Sequence, residues 1–144
     1  MSDTPRLPHG STSRVVLADD HAGVLAETRS LLENDFQVVS VVRDGSALWQ
    51  AVLETKPDGV VTDVQMPGLN GIDACREIVK WGLCDAIVVL SMHSDPSLVH
   101  RALDAGIRGY VLKEDAGEEL IPALCAVLAG GRYLSRGVAA AGYR

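Results

Sequence analysis

Acidic side chains end two of the apolar runs in this chain. Asp63 closes the stretch GVVTD, and the loop-forming residues QMPGLNG come shortly after it. Asp19 and Asp20 follow the run RVVLA in the same way. Short apolar runs rich in β-branched residues are typical of buried strands. The pattern therefore places three carboxylates where strands end and loops begin.

A hydroxyl and an ammonium group end two further runs. Ser91 follows AIVVL, and Lys113 follows YVL. Three carboxylates at one sheet edge repel, because two unit charges ~4 Å apart cost on the order of 4 kcal/mol at an effective dielectric of roughly 20. A hard divalent cation, Mg²⁺ or Mn²⁺, suits such oxygen ligands. We expect this metal beside a phosphoryl group on Asp63, with Asp63 as the nucleophile that forms an aspartyl-phosphate and with Ser91 and Lys113 contacting the other phosphoryl oxygens.

The elements that position these side chains alternate along the chain. Apolar runs predict five strands, and helical spacing of apolar residues with capping signals predicts five helices between and after them. Pro122 falls in the last predicted helix, where we expect it to be tolerated only if it lies within the first turn. The predicted strands are 14–18, 36–42, 59–63, 86–90 and 110–112, and the predicted helices include 22–32, 72–81 and 118–128.

Strands alternating with helices predict a doubly wound parallel sheet covered on both faces by right-handed crossovers. We predict the flavodoxin-like or CheY-like α/β fold, a single domain with strand order 2-1-3-4-5. In this order the switch point lies between strands one and three, so that Asp19 and Asp20 become neighbours of Asp63.

Composition limits the function classes. The 144 residues fit one domain, and the formal net charge of -6 argues against a surface that grips nucleic-acid phosphates. No apolar run approaches the ~20 residues of a membrane span. The first residues show no apolar core of a signal peptide. We therefore expect a cytoplasmic protein with no membrane partner, in which residues 1–13 form a disordered tail.

The order of elements and the residues at their ends resemble the receiver domain of two-component response regulators. The resemblance covers roughly residues 14–130 and implies that Asp63 is the phospho-acceptor for a sensor histidine kinase. It implies a switch with autocatalytic phosphotransfer and autodephosphorylation, not an enzyme with a separate substrate. The matching motifs are Asp19-Asp20, Asp63 in TDVQMPGLNG, Ser91 in VLSMH, and Tyr110 with Lys113 in GYVLK.

The same resemblance implies a role for each site residue. Asp20, Asp63 and the backbone carbonyl of Gln65 would bind Mg²⁺, and Asp19 would assist mainly through water. Phosphorylation would draw the switch hydroxyl of Ser91 inward, and the aromatic ring of Tyr110 would follow. Lys113 would be the phosphate partner, and Pro67 and Gly71 would shape the loop. The surface of the fourth helix, fifth strand and fifth helix would then change and promote a homodimer.

More particular stretches resemble the NarL/FixJ (LuxR-type) class of transcriptional regulators. They are ADDH, SMHSD, RALDAGIRGYVLKEDA and AGGRYLS. In that class a helix-turn-helix output domain binds DNA. We expect residues 131–144 to begin the linker to such a domain, which this chain does not contain. Control of transcription, and any contact with DNA, would depend on that output domain.

Two other functions remain open at this point. A haloacid-dehalogenase-like phosphatase also uses an aspartate nucleophile with Mg²⁺, but it carries a second aspartate two residues later, where this chain has Gln65. A stand-alone or degenerate receiver would serve only as a protein-interaction module, although every chemical position is filled here. Taken singly, Asp19 and Asp20 are also suitable caps for the following helix.

Overall fold

The computed structural model describes residues 13–141, which form a parallel sheet with helices on both faces. The sheet has six strands in the order β2-β1-β3-β4-β5-β6. The strands are β1 (Arg14–Ala18), β2 (Gln37–Val42), β3 (Gly59–Asp63), β4 (Ile87–Ser91), β5 (Gly109–Leu112) and β6 (Tyr133–Leu134).

Short polar caps begin three of the helices. The side chains of His21, Asp44 and Asn70 accept hydrogen bonds from backbone N–H groups in the first turns of α1, α2 and α3. Such caps satisfy amide groups that have no partner within the helix. The helices are α1 (Ala22–Leu32), α2 (Gly45–Thr55), α3 (Gly71–Lys80), α4 (Pro96–Asp104), α5 (Ala116–Leu128) and α6 (Arg136–Ala140), and a 3₁₀ turn spans Lys113–Asp115.

The core forms two layers, one on each face of the sheet. Val15 and Leu17 pack in one apolar cluster with α1 and α5, whereas Val16 and Ala18 pack in the other with α2 and α3. Successive strand residues point to opposite faces, so this alternation shows that β1 is covered on both sides. A parallel sheet needs this arrangement.

The predicted fold class and the order 2-1-3-4-5 are confirmed, and the structure adds two short elements. The sixth strand pairs with β5 in parallel, with Gly109 opposite Tyr133 and Tyr110 opposite Leu134. α6 follows it and buries Val138 completely. A two-residue strand and a five-residue helix are too short to produce a periodic apolar pattern. The sequence therefore predicted only the start of a linker at residues 131–141. Residues 1–12 of the predicted tail lie outside the described range, as do residues 142–144.

Pro122 corrects one prediction. It is tolerated in the middle of α5 and not only within the first turn, and the helix begins at Ala116, two residues before the predicted start. Proline has no N–H to donate to the carbonyl four residues earlier, which here belongs to Glu118. Both residues are exposed. The unused carbonyl therefore lies on the solvent face of the helix, where the missing bond is least costly.

The described residues also bear on membrane association. Between residues 13 and 141, the helices are all too short or too polar to cross a bilayer.

Candidate functional site

The strand register brings the predicted site residues to one edge of the sheet. Ala18 lies opposite Thr62, and Asp63 lies opposite Leu90. Ser91 lies opposite Leu112. The residues that follow or close these strands therefore meet at the carboxyl edge, beside the switch point between β1 and β3.

Three carboxylates form the centre of this edge. One oxygen from each of Asp19, Asp20 and Asp63 lies within 4.8 Å of the other two. Asp19 and Asp63 are buried, whereas Asp20 is exposed. A dense set of oxygen donors with one solvent-facing member fits a hard cation such as Mg²⁺, which keeps several of its waters when bound. The donor set therefore fits the metal expected from the sequence.

Lys113 provides the positive charge among these acids. Its Nζ atom is 3.1 Å from Asp19 Oδ2 and 3.3 Å from Asp63 Oδ2. Burial opposes the charged form of the amine, but the hydrogen bond to Asp19 and the charges of both acids raise the pKa of Lys113 above its usual value. Lys113 therefore stays protonated and is placed to contact any group carried on Asp63.

Asp63 experiences opposing electrostatic effects. Burial raises the pKa of its carboxyl, and the charge of Asp19 raises it further, while Lys113 lowers it. Asp63 Oδ1 also accepts a long hydrogen bond of 3.4 Å from the Gln65 backbone amide. The structure thus shows the Gln65 backbone next to Asp63, although the observed contact is made by its amide and not by the predicted carbonyl.

Ser91 and Tyr110 are connected through the backbone of His93. The His93 amide donates to Ser91 Oγ at 3.0 Å, and the Tyr110 hydroxyl donates to the His93 carbonyl at 2.7 Å. Ser91 and Tyr110 are both fully buried, and burial raises the pKa of the Tyr110 hydroxyl. A movement of Ser91 would therefore act on the same loop that holds the tyrosine hydroxyl.

Sequence reasoning missed four contacts at this site, which three residues make. Arg43 donates from its guanidinium to the Asp20 carbonyl at 2.8 Å, and the His21 amide donates to Asp19 Oδ1 at 2.9 Å. His93 makes the two contacts described above. Arg43 had a usable signal, because it comes directly after β2 and thus lies at the same sheet edge as Asp20. The contacts of His21 and His93 use backbone atoms, which any residue type provides.

A protein family and individual relatives within it match this chain. The family model of the response regulator receiver domain matches residues 15–124. The transcriptional regulatory protein DegU of Brevibacillus brevis is 34% identical over 123 residues, which are 84% of this chain and 52% of DegU. This chain therefore spans about half the length of that relative.

Solved structures agree with the family match. A LuxR-family two-component response regulator from Aurantimonas sp. SI85-9A1 superposes with a TM-score of 0.85 at 38% identity, covering 90% of this chain and 94% of that chain. The isolated receiver domain of RcsB from Salmonella enterica serovar Typhimurium, in the presence of phosphomimetic BeF3-, gives a TM-score of 0.81 at 31% identity, covering 91% and 99%. The resemblance noted in the sequence is thereby confirmed, and the chain belongs to the response regulator receiver family, in its LuxR-type (NarL/FixJ) class.

Proposed function

We propose that Asp63 accepts a phosphoryl group from a phosphohistidine on a sensor kinase, and that the resulting aspartyl-phosphate switches the conformation of the domain. The observation that carries this proposal is the position of Lys113, whose amine lies within 3.3 Å of Asp63 and 3.1 Å of Asp19 at the acidic edge of the sheet. A lysine, a nucleophilic carboxylate and a metal-binding acid pair at one point provide the parts that phosphoryl transfer needs.

In the proposed transfer, an oxygen of Asp63 attacks the phosphorus of the phosphohistidine. A P–O bond forms, the P–N bond breaks, and the imidazole leaves with the bonding electron pair and takes up a proton. Lys113 neutralises part of the charge on the phosphoryl oxygens, and the Ser91 hydroxyl donates to another of them. Hydrolysis of the acyl phosphate by water returns the Asp63 carboxylate and inorganic phosphate.

The acidic cluster would hold the metal. Bound by Asp19, Asp20, Asp63 and the Gln65 backbone carbonyl, Mg²⁺ or Mn²⁺ would supply positive charge that offsets the repulsion between the acids and the incoming phosphoryl group. Asp20 is the exposed member of the set. The Arg43 contact to its carbonyl holds the backbone of this loop in place.

A groove beside the site gives the donor a place to approach. It has a volume of about 290 Å³ and lies between α1 and the start of α5, with Lys113 in its wall. Val24, Thr28 and Leu31 of α1 form part of its lining. An apolar groove that opens beside the phosphate partner suits a helix of the sensor kinase that carries the histidine.

We propose that the output follows from the Ser91 and Tyr110 pair. Phosphorylation would draw Ser91 towards the phosphoryl group, and the His93 link would pass this change to Tyr110 and the surface of α4, β5 and α5. The changed surface would favour a homodimer. In a cytoplasmic regulator with residues 14–130 as receiver, residues 131–144 would lead to a helix-turn-helix domain that binds DNA and controls transcription.

Intact-mass measurement after incubation with acetyl phosphate and Mg²⁺ tests the proposal. We expect the wild-type chain to gain one phosphoryl group and Asp63→Asn to gain none, because the amide is not a nucleophile of this kind. Asp104→Asn, a change of an exposed acid at the end of α4, should behave as wild type. Removal of Mg²⁺ with a chelator should prevent the gain.

The other outcomes separate the alternative functions. Continuous release of phosphate without an accumulated adduct would indicate a phosphatase. Absence of any adduct on the wild-type chain would indicate a binding module. Uptake by Asp63→Asn at the wild-type rate would refute the assignment of the acceptor.

A further inference from the structure

The C-terminal segment formed by β6 and α6 is bonded directly to β5, the strand that ends one residue before Lys113. The Tyr133 amide donates to the Arg108 carbonyl at 2.9 Å, and the Ser135 amide donates to the Tyr110 carbonyl at 3.0 Å. Ser135 is completely buried. The segment thus runs along β5 as far as the end of the strand, next to the residue that precedes Lys113.

Two side chains then bracket Lys113. Ser135 Oγ accepts from the Leu112 amide at 3.1 Å and donates to Asp115 Oδ2 at 2.7 Å. Asp115 Oδ2 also accepts from the Gly137 amide at 2.9 Å. We call Ser135 and Asp115 the clamp. It holds the chain one residue before Lys113 and two residues after it.

The clamp leaves the Lys113 backbone little freedom. The Lys113 carbonyl accepts from the Ala116 amide in the 3₁₀ turn, so the clamp and this turn together hold the main chain on both sides of the residue. A hydrogen bond between a hydroxyl and a carboxylate is charge-assisted and stronger than one between neutral groups. Ser135 is buried and Asp115 is partly buried, so water competes less for this hydrogen bond than at the surface.

α6 packs closely against the end of β5 and against Asp115, so this arrangement has little room to move. A Cβ atom on Gly137 would lie 2.4 Å from Leu112 Cδ1 and 2.8 Å from Asp115 Oδ2. α6 therefore approaches the end of β5 and the clamp as closely as a residue without a side chain permits.

We propose that Ser135 and Asp115 are positioning residues for Lys113, so that docking of the C-terminal segment sets the rate at which Asp63 takes up a phosphoryl group. This inference rests on the proposed function. Lys113 must keep its amine about 3 Å from the phosphoryl oxygens, and displacements near 1 Å in such a site cost up to roughly a hundredfold in rate. Release of the clamp would permit such a displacement.

The test compares the rates at which the full-length wild-type chain and its variants are phosphorylated by acetyl phosphate with Mg²⁺. Intact-mass measurement at successive times gives each rate. We expect Ser135→Ala and Asp115→Asn to slow uptake on the order of tenfold, as losses of supporting hydrogen bonds do elsewhere. Circular dichroism and thermal unfolding of each variant check that the fold persists at the assay temperature. Because Asp115→Asn keeps the size of the side chain, it serves as the second variant if Ser135→Ala unfolds.

Arg136→Ala is the matched control on the same segment. The Arg136 side chain pairs with Glu118 and Glu119 of α5 and is largely exposed, and exposed ion pairs contribute little to stability. Its rate should remain close to that of wild type. A loss as large as that of Ser135→Ala would contradict the clamp, because general docking to α5 would then explain both effects.

A double-mutant cycle shows whether the clamp acts through Lys113. Ser135→Ala should slow the wild-type chain but should add no further loss in a Lys113→Ala background. An equal loss in both backgrounds would overturn the proposal in favour of general loosening, as would a Ser135→Ala rate equal to wild type. No uptake by the wild-type chain itself would overturn the proposed function, and the clamp with it.

Discussion

The Asp63 carboxylate lies between a repelling and an attracting charge. Asp19 and burial disfavour its ionised form, whereas the Lys113 amine 3.3 Å away favours it. The net effect raises the pKa of Asp63 above its ordinary value of 3.8. The ionised carboxylate is therefore destabilised at neutral pH, and added positive charge from a metal would relieve the repulsion.

The raised pKa of Asp63 predicts how stability depends on pH. The folded chain binds the Asp63 proton more tightly than the unfolded chain, so this group favours folding below pH 3.8 and loses that contribution as the pH rises through its folded pKa. We therefore expect Asp63→Asn to unfold at a higher temperature than wild type at pH 7. The difference should shrink as the pH falls towards 4, as measured by thermal denaturation without divalent cations.

Mg²⁺ and a distant acid provide the controls for this prediction. Saturating Mg²⁺ should raise the unfolding temperature of wild type more than that of Asp63→Asn, because the variant lacks one of the carboxylates that we propose bind the metal. Asp104→Asn keeps all three acids of the cluster, so its unfolding temperature should follow that of wild type both with pH and with Mg²⁺. A variant less stable than wild type at pH 7 would show that the Lys113 ion pair outweighs burial and repulsion at Asp63.

At the scale of elements, the loop between β3 and α3 folds back tightly on the strand that carries Asp63. The Gly71 amide donates to the Val64 carbonyl at 2.8 Å. A Cβ atom at Gly71 would lie 1.9 Å from the Asp63 carbonyl oxygen, and one at Gly45 would lie 1.8 Å from the Leu69 carbonyl oxygen. Two glycines at helix starts therefore let the loop pass close to β3 and α2.

This close approach predicts that Gly71→Ala destabilises the protein. The new methyl group must displace the backbone next to Asp63, and overpacking of this kind costs about 1–3 kcal/mol in the free energy of unfolding. Gly117→Ala is the matched control. A Cβ at Gly117 would meet no described atom within 4 Å, so the better helix propensity of alanine should stabilise α5 by about 0.5–1 kcal/mol.

Urea denaturation measures both glycine variants. We expect the urea midpoint of Gly71→Ala to lie below that of wild type and the midpoint of Gly117→Ala to lie above it. Equal or greater stability of Gly71→Ala would mean that the loop relaxes without cost, contrary to the packing seen at the end of β3.

At the scale of the whole molecule, the C-terminal segment completes the core of the domain. Val138 is fully buried in the same apolar cluster as Tyr110 and Leu112, and Leu134 packs against that cluster. The segment therefore covers the side of β5 that would otherwise end the sheet. β5 thus pairs with the segment that leads towards the C-terminus, and it also ends at the rim that we propose binds the phosphoryl group.

The role of this segment in the core predicts a measurable loss when it is weakened. Val138→Ala removes two buried methyl groups and should lower the free energy of unfolding by about 1–3 kcal/mol. Urea denaturation of the full chain measures the change. A midpoint equal to that of wild type would show that the segment lies on the domain without contributing to its stability.

Much of the fold follows from local patterns. The bounds of β1, β3 and α1 match the predicted ranges, because strong apolar runs and helical spacing depend on residues close in sequence. Strand order and the shared edge of Asp19, Asp63 and Lys113 also follow, since right-handed crossovers leave few possible topologies. The tolerance of Pro122 inside α5 was not predicted, because it depends on the Glu118 carbonyl facing solvent, which only the structure shows.

The sequence by itself determined which groups meet at the carboxyl edge: the acids that follow β1 and end β3, the Ser91 hydroxyl and the Lys113 amine. Only the tertiary structure decided how they are held: the 3.1 Å and 3.3 Å contacts of Lys113, the His93 link to Tyr110, and the Ser135 and Asp115 clamp. Residue type and order set the topology. These contacts depend on distances of tenths of an ångström between residues that are mostly far apart in the sequence, and packing sets those distances.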